Sequence, residues 1–168
     1  MPNLEVRYIY KNTILQWFER KIARSDLTEL HRALLEGDEN SLTLEFNRIL
    51  IGSISYYDSV EAFYHGFVVG LLRSIAGAIV SSNRESGHGR LDILIKILGA
   101  KEDRAIILEL KVAKNINDLE SSCNLALKQV EERDYTAELT AEGYLNPSIM
   151  KYGISFCKKK CLVKVAKS

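Results

Sequence analysis

Proline is almost missing from this chain, with two in 168 residues, and there is a single tryptophan. Ten glycines are too few and too scattered for a collagen-like or low-complexity chain. Cysteine occurs three times, at 123, 157 and 161, so no disulfide framework can account for them. Cys157 and Cys161 have the spacing of half a zinc site, but no second Cys/His pair completes it, and His31, His65 and His88 lie far apart in sequence. No apolar run approaches the ~18 residues of a membrane span; the most apolar stretch, Phe67 to Val80, is interrupted by Arg73 and Ser74. The first residues, from Met1 to Asn12, lack the basic-then-apolar layout of a secretory leader, so a cytoplasmic protein is expected. Net charge is only +1, which excludes a general polycation; any nucleic-acid surface has to be local. One local bias exists. Residues 151–168 carry Lys151, Lys158, Lys159, Lys160, Lys164 and Lys167 and no acid, a pattern that reads as an edge strand guarded by lysines.

What remains is an ordinary globular composition, 46% hydrophobic and 27% charged, long enough for about one domain of ~100–200 residues. Asn12 is placed to cap a helix through Leu15, Phe18 and Ile22. Ser25 and Asp26 are placed to cap a second, through Leu27, Leu30 and Leu34, ending at Gly37. Leu42, Phe46 and Leu50, four apart, predict a third from Asp38 to Ile51. Residues 1–57 thus form a helical N-terminal part, opened by a strand-like Pro2–Arg7 that has no partner of its own. Asp58 and Glu61 have capping-box spacing, and the helix they open is apolar around much of its circumference, through Phe63, Phe67, Val68, Leu71, Leu72, Ile75 and Ile79. Strands are expected at 79–82, 90–97 and 104–112, with a polar turn over 83–89. A second capping box, Asn117 with Glu120, opens a helix with Leu119, Cys123, Ala126, Leu127 and Val130 on one face. Two short strands follow, near 151–157 and 160–165. The class is α+β or mixed α/β, with residues 58–168 as the sheet-bearing domain.

Alternation across the strands exposes the chemistry. Leu91, Ile93, Ile95 and Ile97 share one face and Asp92 the other; Ile106, Leu108, Leu110 and Val112 share one face, and Ile107, Glu109 and Lys111 the other. Each strand then has an aliphatic face and a charged face. Folded as an unbulged hairpin about residues 98–103, the pair sets Ile97 against Arg104 and Asp92 against Glu109. Cβ atoms so opposed are ~5 Å apart, and like charges there are destabilising. A hard divalent cation, Mg²⁺ or Mn²⁺, resolves the conflict. Lys111 points from the same face, where it can orient a water or stabilise developing negative charge. The same trio also fits a solvated strand face or a salt-bridge ladder.

Asp92 followed by Glu109-Leu110-Lys111 on the next strand resembles the PD-(D/E)xK nuclease superfamily. The wider order of Phe63-Tyr64-His65-Gly66, Ser82 to Asp92, Leu108 to Ala113, Ala126 to Glu131 and Tyr152 to Cys157 is similar to the nuclease-like domain that commonly follows an AAA-ATPase-like domain in bacterial proteins. The resemblance implies a restriction-endonuclease-like core, Asp92 and Glu109 as metal ligands, Lys111 as the residue that positions water, and Gln129 near the site. It also implies a further ligand from Glu61 or His65, which share a helix face, although Glu61 is equally a cap and His65 equally a core histidine. Arg84, Glu85 and Arg90, from the turn before Asp92, are expected to contact phosphates or metal, or to pair with one another. Leu91 stands where the family often has proline. No Gly-x4-Gly-Lys-Ser/Thr string occurs, so the chain is expected to be either a detached nuclease-like unit or a fragment, with any ATPase partner elsewhere. The expected activity is metal-dependent hydrolysis of DNA, with RNA not separated from it; the competing expectation is a non-catalytic module that docks on an AAA-type ATPase or on a second copy as a homodimer.

Overall fold

The computed structural model describes residues 25–52, 61–86, 89–99 and 102–166, with positions 16, 20 and 22. The expected strand at Pro2–Arg7, most of the first helix, Asp58 of the first capping box and the tip at Gly87-His88 lie outside the described residues, as do the side chains of Arg84, Glu85 and Arg90.

Three antiparallel pairs and one parallel crossover make the sheet. β1 (Ala78–Ser86) pairs with β2 (Gly89–Ile97), which pairs with β3 (Arg104–Val112). β3 then runs parallel to β4 (Ile149–Cys157), which turns back into β5 (Lys160–Val165), giving the order β1-β2-β3-β4-β5. A parallel pair needs a long connection. Here it is the helix α4 (Leu119–Glu132), the shorter α5 (Tyr135–Ala141) and two single 3₁₀ turns. The polar stretch 83–86, expected as a turn, continues β1; Glu85 and Ser86 pair with Arg90 and Gly89. The sheet is thus the expected meander plus two strands, with helices on both faces.

Before the sheet come α1 (Thr28–Glu36), α2 (Glu39–Ile51) and α3 (Glu61–Leu72). Asp26 Oδ1 accepts the Thr28 N–H, and Gly37 ends α1 with φ 76°, a left-handed cap that a glycine adopts without a Cβ clash. Asp38 caps α2 by accepting from Ser41 N–H. Helix α3 stops at Leu72; Ile75 is buried in the turn beyond, and Ile79 belongs to β1 and is largely exposed. The Asn117/Glu120 capping box does not form. Residues 116–118 make a 3₁₀ turn instead, and Glu120 pairs with Lys164 at 2.7 Å. Among the described residues no helix is long and apolar enough to cross a membrane.

One core lies between α1–α3 and the sheet. It joins Leu30, Leu34, Phe46, Leu50, Phe67 and Leu71 to Ile93, Ile95, Ile106, Leu108, Ile154 and Phe156. A second, smaller core under α4 and α5 holds Leu91, Leu94, Ala105, Ile107, Val130, Tyr135 and Leu139. The face expected to carry charge is therefore apolar for half its length.

The edge at β5 is closed differently from the lysine guard that its composition suggests. Glu39, Thr43 and Asn47, four apart on α2, accept the N–H groups of Val165, Val163 and Cys161, and Asn47 also donates to the Cys161 carbonyl. Side chains of a partly buried helix face thus occupy backbone groups that an open edge would present to another strand.

Candidate active site

The β2–β3 register is the unbulged one, with Ile97 against Arg104, Ile95 against Ile106 and Ile93 against Leu108. The recorded pairing ends there. In the next rung Asp92 Oδ2 accepts the Leu110 N–H at 2.9 Å, a backbone donor met by a side chain. Leu91 then packs with Leu94 in the α4–α5 core, so strict alternation slips by one position around Asp92. The expected face-to-face opposition of Asp92 and Glu109 is replaced by a local parting of the strands, with the Asp92 carboxylate between them.

Glu109 sits beside this opening on the central strand and is only 2% exposed. Burial, then the nearby Asp92 charge, pushes its carboxyl up to about 7, against the pull of Lys111 and Arg133. Lys111 Nζ and an Arg133 guanidinium nitrogen each lie 3.6 Å from Glu109 Oε1. Glu109 Oε2 is buried and has no hydrogen-bond partner among the described residues.

His65 on α3 faces β2, with Nε2 3.1 Å from the Asp92 carbonyl oxygen. Since a carbonyl only accepts, Nε2–H is the donor in this contact. Glu61, one turn earlier, is exposed. Gln129 is partly buried on α4, one turn before Arg133, and forms no hydrogen bond to Glu109 or Lys111. The backbone of Arg84 pairs with Leu91 and that of Glu85 with Arg90, at the end of the hairpin next to Asp92.

Sequence reasoning missed Arg133. It follows Gln129 by four residues and so shares its side of α4, which was the available signal. Tyr135, across a corner made by Asp134 at φ 46°, accepts a hydrogen bond from Arg133 at 3.5 Å. Gly153, the β4 partner of Glu109, was also missed. A Cβ there would lie 2.6 Å from the Cys123 carbonyl oxygen, so glycine is what lets α4 approach the sheet.

The donors suit a hard divalent cation. Two carboxylates, one with an unmet buried oxygen, are oxygen ligands of the kind Mg²⁺ and Mn²⁺ take, and Mg²⁺ commonly keeps several waters. Among the described residues no cluster of three or more Asp, Glu, His or Cys converges. An open groove of about 770 Å³ lies elsewhere, near Arg104, Ser148 and Ile149 at the starts of β3 and β4, and includes none of these groups.

The profile of the PD-(D/E)XK nuclease superfamily matches residues 59–166. The chain belongs to this superfamily. Its five-stranded mixed sheet with flanking helices is consistent with a restriction-endonuclease-like fold, and the chemistry the superfamily suggests is phosphodiester hydrolysis. No curated protein matches the chain.

Proposed function

We propose that the chain hydrolyses DNA phosphodiester bonds with the help of a divalent cation held by Asp92 and Glu109. The observation that carries this is Glu109 itself. A carboxylate sealed to 2% exposure, with one oxygen unmet, weakens folding rather than supporting it, and such groups gather at functional sites. When bound, the cation activates the attacking water and offsets charge on the leaving oxygen. Lys111 holds its ammonium beside Glu109 and orients that water. His65 anchors the Asp92 backbone through its carbonyl, a positioning role that keeps the carboxylate in the gap between the strands. Arg84 and Arg90, near the same end of β1 and β2, are suited to backbone phosphates of a bound strand.

Cleavage of a labelled DNA duplex with Mg²⁺ tests the assignment. Asp92→Ala and Lys111→Ala should each lower the rate by at least ~100-fold, the scale of losing one well-placed charge or proton-transfer group. Wild-type Mg²⁺-dependent cleavage that survives both substitutions ends the proposal. Calorimetry without substrate gives an independent reading: Mn²⁺ should bind the wild type and fail to bind Glu109→Ala. RNA of the same sequence, run in parallel, decides the sugar.

A further inference from the structure

Two cations meet one carboxylate oxygen from opposite elements. Lys111 comes from the central strand and Arg133 from the end of α4, both 3.6 Å from Glu109 Oε1 and both with about three-tenths of the side chain exposed. With Asp92 and Glu109 ionised, the four charges sum to zero. A divalent cation on the two carboxylates adds two positive charges beside Lys111 and Arg133. Such a cluster calls for an anion, and a phosphodiester supplies one.

We infer that Arg133 is a phosphate-binding residue of this site, held on Glu109 in the resting protein and turned to a non-bridging phosphate oxygen when substrate is bound. Three features fit that duty. A guanidinium has five N–H donors in a planar fork, so it can keep one contact and offer others. Tyr135 Oη accepts from the same guanidinium, which limits its freedom before substrate arrives. The left-handed Asp134 between them turns the chain sharply, which brings the Tyr135 hydroxyl back to the Arg133 guanidinium. The plain alternative is that Arg133 only complements the dipole at the helix C-terminus. That role needs no contact with a buried acid on the sheet.

The inference rests on the Asp92–Glu109 site being a phosphodiester site, and binding can be read apart from cleavage. The probe is a short fluorescein-labelled DNA strand, titrated with full-length protein in Ca²⁺, a hard cation for the same oxygen ligands, across a salt series and followed by anisotropy. Arg133→Gln should weaken binding about tenfold and lower the slope of log affinity against log salt by about one ion. Arg133→Lys should keep the slope but recover only part of the affinity, because an ammonium cannot form the forked contact. Circular dichroism and a melting curve establish that each variant is folded. With cleavage measurable, KM should rise more than kcat falls. Affinity and slope within twofold of wild type in a folded Arg133→Gln protein overturn the inference, as does a wild type that binds no strand. A strand that binds through Arg133 but is never cut sustains this inference and counts against the hydrolytic reading alone.

Discussion

The two faces of the sheet are packed by the same kind of element and treated very differently. Toward α1–α3 the residues are aliphatic or aromatic, and the polar atoms that reach the interior are answered; Tyr152 donates to the Leu34 carbonyl and Tyr64 to the Lys158 carbonyl. Toward α4 and α5 the face begins apolar, with Leu94, Ala105 and Ile107, then turns ionic at Glu109. Both buried side-chain atoms without a partner among the described residues, Glu109 Oε2 and Ser155 Oγ, belong to this second face; Ser155 follows Gly153 by two on β4 and pairs in register with Lys111. Burial on one face supplies the stability that lets the other hold charges at a loss.

If that division is right, cutting into the first face should cost only folding. Phe156 stacks on Tyr64 at 4.5 Å between centroids and meets Phe46 edge-on at 6.5 Å. Phe156→Ala should destabilise by about 3–5 kcal/mol. Urea unfolding checks it: the midpoint should fall with the m-value unchanged.

Glu109 predicts a smaller effect of opposite character. Its carboxyl is pushed from an ordinary 4.5 to about 7, so between those values the folded state binds more protons than the unfolded one. Stability must then fall as pH rises from about 4.5 to about 7 and level off above, by at most about 3 kcal/mol. Glu109→Gln should abolish that slope while also abolishing cleavage. Mn²⁺ should raise the melting temperature of the wild type at pH 8 and leave the variant unmoved. An equal slope in both proteins would assign the pH dependence to other groups and remove the case for a strained acid.

Much of this division could be read in the sequence where interactions are local. Alternation and the length of the 98–103 loop were enough for the β2–β3 register, and Gly37 marked the end of α1. Misses occurred where distant segments decide. Residues 83–86 are polar and look like a turn, yet β2 pairing keeps them in a strand. No local pattern indicates that β3 and β4 run parallel, that α2 would satisfy the β5 edge through Glu39, Thr43 and Asn47, or that the strands would part at Asp92. The grouping of Asp92, Glu109 and Lys111 was legible because all three lie on one hairpin. Arg133 was not, since only the packing of α4 through Gly153 brings it to the same oxygen.

That packing gives the next prediction. In Gly153→Ala the new methyl would sit 2.6 Å from the Cys123 carbonyl oxygen and 3.1 Å from Ala126 Cβ, both on α4. Backbone has to shift, at about 1–3 kcal/mol. Because the shift moves the helix that carries Arg133, oligonucleotide affinity should fall in a protein that urea unfolding still finds cooperatively folded. Unchanged affinity beside lost stability would make Gly153 a packing residue only.

The smallest effect concerns the corner at Asp134, which holds φ 46° and ψ 41°. Left-handed backbone costs an L residue roughly 1–2 kcal/mol, less for Asp and Asn and nothing for Gly. Asp134→Val should therefore lower stability by about 1–2 kcal/mol. Asp134→Gly should be close to neutral, since relief of the Cβ contact is offset by about 0.5–1 kcal/mol of added freedom in the unfolded chain. The informative comparison is between stability and binding in the glycine variant. If the corner serves to aim Arg133 and Tyr135 at Glu109, a looser corner should weaken strand binding a few-fold while the melting curve barely moves. Parallel behaviour of the two measurements would mean that the corner is there to join two helices and that Arg133 finds Glu109 without its help.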